Sequence, residues 1–139
     1  MVEDLLRSIN QRLESQFSEF LNELIKLYPS STIVLFGSRA SGKNRPNSDF
    51  DVILFIECDN PLHKMIEIYS KTQPTFPIDI IVIRPSEVNE NNVHLSHMLY
   101  YGYKVLHDGL GLKTKIEEMV IKNLERVREI AKYDDKKKQ

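Results

Sequence analysis

Residues 36–52 read FGSRASGKNRPNSDFDV and join two apolar segments of the chain. The segment before them, residues 32–36, is a short β-branched run, which predicts a buried strand. Residues 37–48 contain two Gly, one Pro, two Asn and three Ser, a composition typical of a loop. Residues 50–56 predict a second strand. We therefore predict a strand, a loop in which a short helix opens just after Ser38, and another strand.

Patterns typical of helix and strand alternate over the rest of the 139 residues. Apolar residues at helical spacing predict a helix over 3–28 and another over 112–133. The elements between them are predicted as a helix over 61–70, a strand over 77–83, a helix over 93–100 and a strand over 103–106. A chain of this length fits one domain. The order of elements predicts an α/β (α+β) fold in which helices flank a mixed β-sheet, with the core over 31–106.

Composition excludes several classes of protein. The formal net charge is −1 at pH 7, whereas a general nucleic-acid binder needs surplus Lys and Arg, so we expect no direct contact with nucleic acid. The single cysteine, Cys58, cannot form an internal disulfide, which favours a reducing compartment. No apolar run approaches the roughly 20 residues of a membrane helix, and residues 1–4 lack the basic start of a signal peptide. We expect a cytoplasmic protein that does not contact membranes.

Two carboxylates stand at the start of the second predicted strand. Asp49 and Asp51 are two residues apart, so their side chains point to the same face of the strand and Phe50 points to the other. Carboxylates this close repel each other, and a hard divalent cation such as Mg²⁺, which prefers oxygen ligands, neutralises them. The alternative is a solvated turn that enters a strand, and taken alone the pair is a weak indication of a metal site.

A third acid, Asp79, interrupts the apolar run IDIIVI over residues 78–83. A carboxylate inside a buried strand is costly unless it is paired, hydrogen-bonded or bound to a metal. The alternative is a structural acid on an exposed or edge strand. If the third strand lies beside the second, the acids Asp49, Asp51 and Asp79 converge. Such a group predicts a two-metal site for phosphoryl or nucleotidyl transfer.

The residues after the first strand suit a phosphate. Gly37 allows the backbone to turn and to approach a ligand closely. Ser38 offers a hydroxyl and a backbone N–H at a helix start, where anions are favoured, and Arg39 is a further candidate for phosphate contact. The alternative is an ordinary turn between a strand and a helix.

The same loop is close to a P-loop without being one. Residues 37–44 read GSRASGKN, but a P-loop requires Ser or Thr after the lysine to bind Mg²⁺. Asn44 occupies that position, and Pro46 follows where the P-loop helix would continue. We therefore exclude a P-loop ATPase.

Taken together, Gly37-Ser38, Asp49-x-Asp51 and the later acid Asp79 resemble the nucleotidyltransferase superfamily of DNA polymerase beta. The resemblance covers about 31–106 and is closest to the minimal nucleotidyltransferases (MNT proteins), which are encoded beside HEPN proteins in prokaryotic toxin–antitoxin pairs. It implies a polymerase beta-like fold and two Mg²⁺ ions held by Asp49 and Asp51. It also implies that Asp79 binds one metal and helps to deprotonate the acceptor, and that Gly37 and Ser38 hold the β- and γ-phosphates of ATP.

For function, the resemblance implies an antitoxin that transfers AMP from ATP to a tyrosine of a partner HEPN ribonuclease toxin and so neutralises it. Two alternatives stay open: a non-catalytic antitoxin that acts by binding alone, and a nucleotidyltransferase with a small-molecule acceptor. The three acids favour an enzyme over an inert scaffold. Because little chain follows the core, we expect a partner protein to supply the acceptor, and we expect the helices at both ends to pack partly on that partner.

Overall fold

The computed structural model describes residues 1–137, and the final two residues of the predicted domain lie outside this part of the chain. The elements follow one another in the order α1 (Val2–Leu27), β1 (Thr32–Phe36), α2 (Ser38–Ser41), β2 (Phe50–Phe55), α3 (Pro61–Thr72), β3 (Ile78–Ile83), a 3₁₀ turn (Pro85–Glu87), α4 (Val93–Tyr100), β4 (Tyr103–Asp108), α5 (Lys113–Lys122) and α6 (Leu124–Lys137).

The predicted mixed sheet with flanking helices is confirmed. Four strands lie in the order β3-β2-β1-β4. Strand β1 is antiparallel to both β2 and β4, whereas β2 and β3 are parallel. A parallel pair needs a crossover connection, and α3 provides it. The parallel pairing brings the starts of β2 and β3, and with them the predicted acids, to the same end of the sheet.

Both faces of the sheet are covered, because side chains alternate along each strand. On one face, Phe50, Val52 and Leu54 of β2 pack in a cluster with residues of α1 and α3. On the other face, Ile53 and Phe55 pack in a second cluster with residues of α4 and α5. Central strand β2 is therefore apolar at nearly every position after its start, and Asp51 lies on the α4/α5 face.

Helix α1 is buried at only one end. Phe17, Phe20 and Leu24 belong to the core, and the ring of Phe17 stacks on Phe50 with centroids 4.4 Å apart. Nearer the N-terminus, apolar side chains are exposed, namely those of Val2, Leu5, Leu6 and Ile9. Of the helices within residues 1–137, α1 included, none combines the length and the apolar character that crossing a membrane requires.

The prediction of one C-terminal helix over 112–133 is wrong, because the chain forms two helices that meet at Asn123. The buried amide of Asn123 donates to the backbone carbonyls of Glu90 and Met119 and to the hydroxyl of Ser96. A side-chain amide that binds nearby backbone groups competes with continued helix. The second helix, α6, then extends to Lys137, beyond the predicted end.

Candidate active site

Asp51 and Asp79 lie directly opposite each other on neighbouring strands. The parallel register of β2 and β3 pairs the two residues, so their side chains project from the same face of the sheet. Asp49 lies two residues before Asp51, immediately outside β2, and is exposed. The three acids of the sequence prediction therefore lie at one end of the sheet, as strand alternation predicts.

The environment of Asp51 disfavours its charged form. Burial raises the pKa of the Asp51 carboxyl, and the negative charges of Asp79 and then Asp49 raise it further. Each contribution makes the ionised carboxylate less stable in the folded protein than in water. A cation bound between Asp51 and Asp79 would remove the repulsion, and carboxylate oxygens are the ligands that Mg²⁺ prefers.

Asp79 is exposed, so the expectation of a carboxylate inside a buried strand is wrong. Strand β3 is an edge strand whose burial alternates: Ile78, Ile80 and Val82 are buried, whereas Asp79 and Ile81 are exposed. Asp79 therefore does not need a metal to offset burial. Its register with Asp51, and not desolvation, connects it with the site.

The predicted convergence of the three acids on one cation stays a prediction. Within residues 1–137, no three His, Cys, Asp or Glu side chains gather closely enough to hold one ion. Asp51 and Asp79 are paired in the sheet, whereas Asp49 precedes β2 and is exposed. The structure thus provides two facing carboxylates, with a third acid two residues from one of them.

Gly37 connects the loop to the acids. Its backbone has φ 75° and ψ −158°, a region that is essentially restricted to glycine. A Cβ built on Gly37 would lie 2.6 Å from Oδ2 of Asp51. Ser38, the next residue, begins the four-residue helix α2 and is partly exposed. The Gly-Ser turn therefore lies against the Asp51 carboxylate, and a side chain at position 37 would occupy that space.

The structure gives Arg39 a role other than the predicted contact with phosphate. Its side chain is only 1% exposed. The guanidinium donates to backbone carbonyls of the loop before Asp49 and to two side chains of α1. These acceptors account for all five of its N–H groups. A phosphate could reach Arg39 only by displacing one of them.

Sequence reasoning missed the support that strand β4 gives to this loop. Gly102, immediately before β4, has φ 135°, and a Cβ there would lie 3.3 Å from Cβ of Ser41 in α2. Across the sheet, Phe36 is paired with Asp51 on one side and with Tyr103 on the other. A glycine between two tyrosines directly before a predicted strand was the available signal for this close contact.

Two of the three acids are exposed at the surface. A cavity of about 480 Å³ is present, but it lies beyond the far end of β2, where Glu57 to Asn60 meet the start of α3. Asp49 and Asp79 are exposed. These two side chains are therefore accessible to a large molecule.

Comparison with known proteins identifies the class of this chain. A family model described as a nucleotidyltransferase domain matches residues 16–136. The chain therefore belongs to the nucleotidyltransferase domain family, which agrees with the predicted nucleotidyltransferase fold. None of the curated proteins matches it.

Solved structures with a similar chain include components of toxin–antitoxin complexes. One is described as a toxin–antitoxin with AMP-PNP; it is 18% identical, and the match covers 88% of this chain and 96% of that chain with a TM-score of 0.44. Another is described as the toxin–antitoxin MntA-HepT; it is 19% identical, and the match covers 85% of this chain and 97% of that chain with a TM-score of 0.47.

Proposed function

We propose that this protein is a magnesium-dependent adenylyltransferase that acts as a cytoplasmic antitoxin: it transfers AMP from ATP to a tyrosine of a partner HEPN-type ribonuclease toxin. The observation that carries the proposal is the facing pair Asp51 and Asp79, with the Gly37 backbone against Asp51. Membership of the nucleotidyltransferase domain family supports the reaction type. The resemblance to minimal nucleotidyltransferases supports the nucleotide, the partner and the acceptor residue.

In this proposal the acids bind the metal ions and the Gly-Ser turn binds the phosphates. Asp49 and Asp51 would hold two Mg²⁺ ions, Asp79 would share one of them, and Gly37 and Ser38 would hold the β- and γ-phosphates. Bound magnesium would neutralise the carboxylates and stabilise charge on the phosphates. The tyrosine oxygen attacks the α-phosphorus, the bond to the β-phosphate oxygen breaks, and pyrophosphate leaves. Asp79 accepts the proton of the tyrosine hydroxyl.

The position of Asp79 supports an acceptor on another protein. Its exposed location on the edge strand leaves it within reach of an approaching side chain. The first turns of α1 also carry exposed apolar side chains, those of Leu5, Leu6 and Ile9, which supports a protein partner over a small molecule.

The decisive experiment uses the product of the neighbouring reading frame. The purified partner is incubated with this protein, ATP and Mg²⁺, and its intact mass and modified residue are determined by mass spectrometry. We expect a gain of AMP units on a tyrosine, none with Asp51→Asn, and none with EDTA. A partner that stays unmodified, but is neutralised, would overturn the catalytic proposal.

One observation favours a second candidate, an antitoxin that acts by binding alone. The described residues do not gather three acids around one point, as a preformed metal centre would. The two candidates differ in what Asp51→Asn does to cells. If binding alone suffices, the variant protects cells from the partner as well as the wild type does. If catalysis is required, protection is lost although the complex still forms.

A further inference from the structure

Arg39 joins three parts of the chain through one buried guanidinium. Nε and Nη2 donate to the carbonyl of Ser48 at 3.1 and 3.0 Å, and Nη2 also donates to the carbonyl of Pro46 at 3.1 Å. Nη1 donates to Oδ1 of Asn10 at 2.5 Å and to Oε1 of Glu14 at 3.1 Å. Three bonds therefore hold the loop before Asp49, and two anchor the same group on α1.

The guanidinium also stacks on an aromatic ring. Its central carbon lies 4.3 Å from the ring centroid of Phe50, and the ring of Phe17 in α1 stacks on the same Phe50 ring. A buried cation is costly unless its hydrogen bonds are satisfied. The planar fork of arginine meets this condition, whereas an ammonium group offers only three donors and cannot stack in the same way.

Arg39 contacts the residues immediately before and after Asp49. Arg39 binds the carbonyl of Ser48, the residue before Asp49, and stacks on Phe50, the residue after it. The amide of Phe50 donates in turn to the carbonyl of Pro77 at 3.0 Å, which fixes the start of β2 against the segment that leads into β3. The backbone on both sides of Asp49 is therefore held, while its carboxylate is left exposed.

We infer that Arg39 is a positioning residue: it sets the backbone of residues 46–50 so that Asp49 can join Asp51 in binding a divalent cation with a nucleotide, and it ties that geometry to α1. This inference rests on the proposed function, because it needs a metal at the acids. Arg39 itself touches neither nucleotide nor metal. Loss of its contacts should weaken metal binding without removing any ligand.

The test measures metal binding directly. Full-length protein with AMP-PNP is titrated with Mn²⁺, and bound Mn²⁺ is followed by electron paramagnetic resonance. We expect Arg39→Lys to raise the half-saturating Mn²⁺ concentration by about tenfold, as loss of a group that orients a metal ligand does, with full occupancy recovered at high Mn²⁺. Arg12→Lys, an exposed arginine of α1, should bind as the wild type does.

Hydrogen exchange separates a local effect from general instability. Arg39→Lys should speed exchange of the amides of residues 47–50, with little change in the strands, whereas a purely structural loss would speed exchange throughout the core. If Arg39→Lys does not fold, Asn10→Ala combined with Glu14→Ala removes the α1 anchor and should raise the Mn²⁺ requirement by a smaller factor.

The outcomes distinguish the two proposals. A folded Arg39→Lys protein with wild-type Mn²⁺ half-saturation overturns the role of Arg39 and leaves the proposed function intact. The role of Arg39 is likewise overturned if only the α1 double variant folds and it binds Mn²⁺ as the wild type does. A wild-type protein that binds no Mn²⁺ with AMP-PNP overturns both proposals.

Discussion

The backbone of Gly37 and the carboxylate of Asp51 are packed against each other, so that a Cβ at position 37 would lie 2.6 Å from Oδ2 of Asp51. This distance is shorter than a van der Waals contact, so either the carboxylate of Asp51 or the backbone turn at position 37 would have to shift. The chain thus places a backbone conformation that favours glycine beside an acid whose pKa is raised. The glycine is explained by the space that the acid, and a phosphate beside it, would require.

The first prediction concerns this contact. Gly37→Ala should reduce AMP transfer by about a hundredfold, because the added Cβ would displace the carboxylate of Asp51. Disturbing the orientation of a metal ligand costs about this much. Backbone strain contributes as well, since this region of φ and ψ is unfavourable by about 1–3 kcal/mol for other residues. Transfer to the partner and ATP affinity by calorimetry are the measurements.

A matched control separates strain from the clash. Gly111 also has a positive φ, 68°, yet no atom of the described residues lies within 4 Å of a Cβ built there. Gly111→Ala should lower the melting temperature without changing transfer per folded molecule. Equal loss of transfer in the two variants would show that the contact with Asp51 is not what requires glycine at position 37.

The second prediction is that removing the charge of Asp51 has opposite effects on the melting temperature and on transfer. Burial and the charges of Asp79 and Asp49 raise the pKa of Asp51, so its ionised form opposes folding. Asp51→Asn should therefore raise the melting temperature, or leave it unchanged, in EDTA at pH 7, while transfer falls by orders of magnitude. Stabilisation on removal of an active-site charge is a common trade-off.

The control for this variant is Asp59→Asn, an exposed acid beyond the other end of β2. It should leave transfer unchanged. A marked fall in melting temperature for Asp51→Asn would mean that Asp51 stabilises the fold through contacts other than those described, and would contradict the electrostatic explanation.

The sequence contained enough information to place the three acids at one end of the sheet. Alternation along a strand puts Asp49 and Asp51 on one side, and the helix between the second and third strands implies a parallel crossover that brings Asp79 alongside. These inferences depend on short-range periodicity and on a connection rule, both of which can be read from sequence.

The errors have two causes: at Asp79 the local sequence hides the alternation of burial, whereas at Arg39 and Asn123 the deciding partners are distant in sequence. Asp79 was predicted to be buried because its neighbour on the same face, Ile81, is apolar. Ile81 is nevertheless 37% exposed, so an apolar residue hides the alternation of buried and exposed positions along this edge strand. Arg39 was assigned to phosphate because its acceptors on α1, Asn10 and Glu14, lie 29 and 25 residues away. Asn123 was predicted to lie inside one helix because its hydrogen bond to the carbonyl of Glu90, 33 residues away, cannot be read from the local sequence.

The third prediction concerns Asp108, which joins β1 to the start of α5. Its carboxylate accepts from the hydroxyl of Thr32 at 2.8 Å and from the amides of Leu112 and Lys113 at 2.7 and 3.2 Å. Burial acts to raise the pKa of Asp108, but these hydrogen bonds outweigh it and the pKa is lowered. Asp108→Ala should lower the free energy of unfolding by about 1–2 kcal/mol at pH 7, as loss of a helix cap does.

The pH dependence of this effect has a defined sign. A lowered pKa means that the stabilisation is present above the usual aspartate pKa of about 3.9 and is lost as the pH falls through the folded-state value. The difference in unfolding free energy between wild type and Asp108→Ala, measured by urea denaturation, should therefore shrink as the pH falls below about 4. A difference that stays constant down to pH about 2 would show that the carboxylate charge is not involved.

The last prediction separates the two facing acids by what each does. Asp51 is partly buried against Gly37, whereas Asp79 is exposed on the edge strand, where an acceptor hydroxyl can reach it. Asp79→Asn keeps the shape of the side chain but removes the oxygen that takes up the proton, so transfer to tyrosine should fall by about a hundredfold or more, a typical contribution of general-base catalysis. Binding of ATP with Mg²⁺ should be largely retained, because Asp49 and Asp51 remain.

Asp51→Asn should weaken nucleotide binding as well, so the ratio of transfer loss to binding loss is larger for Asp79→Asn. Calorimetry with AMP-PNP and Mg²⁺, together with mass spectrometry of the partner, gives both quantities. If the two variants lose binding and transfer in the same proportion, Asp79 acts only as a metal ligand and the proton must be accepted elsewhere.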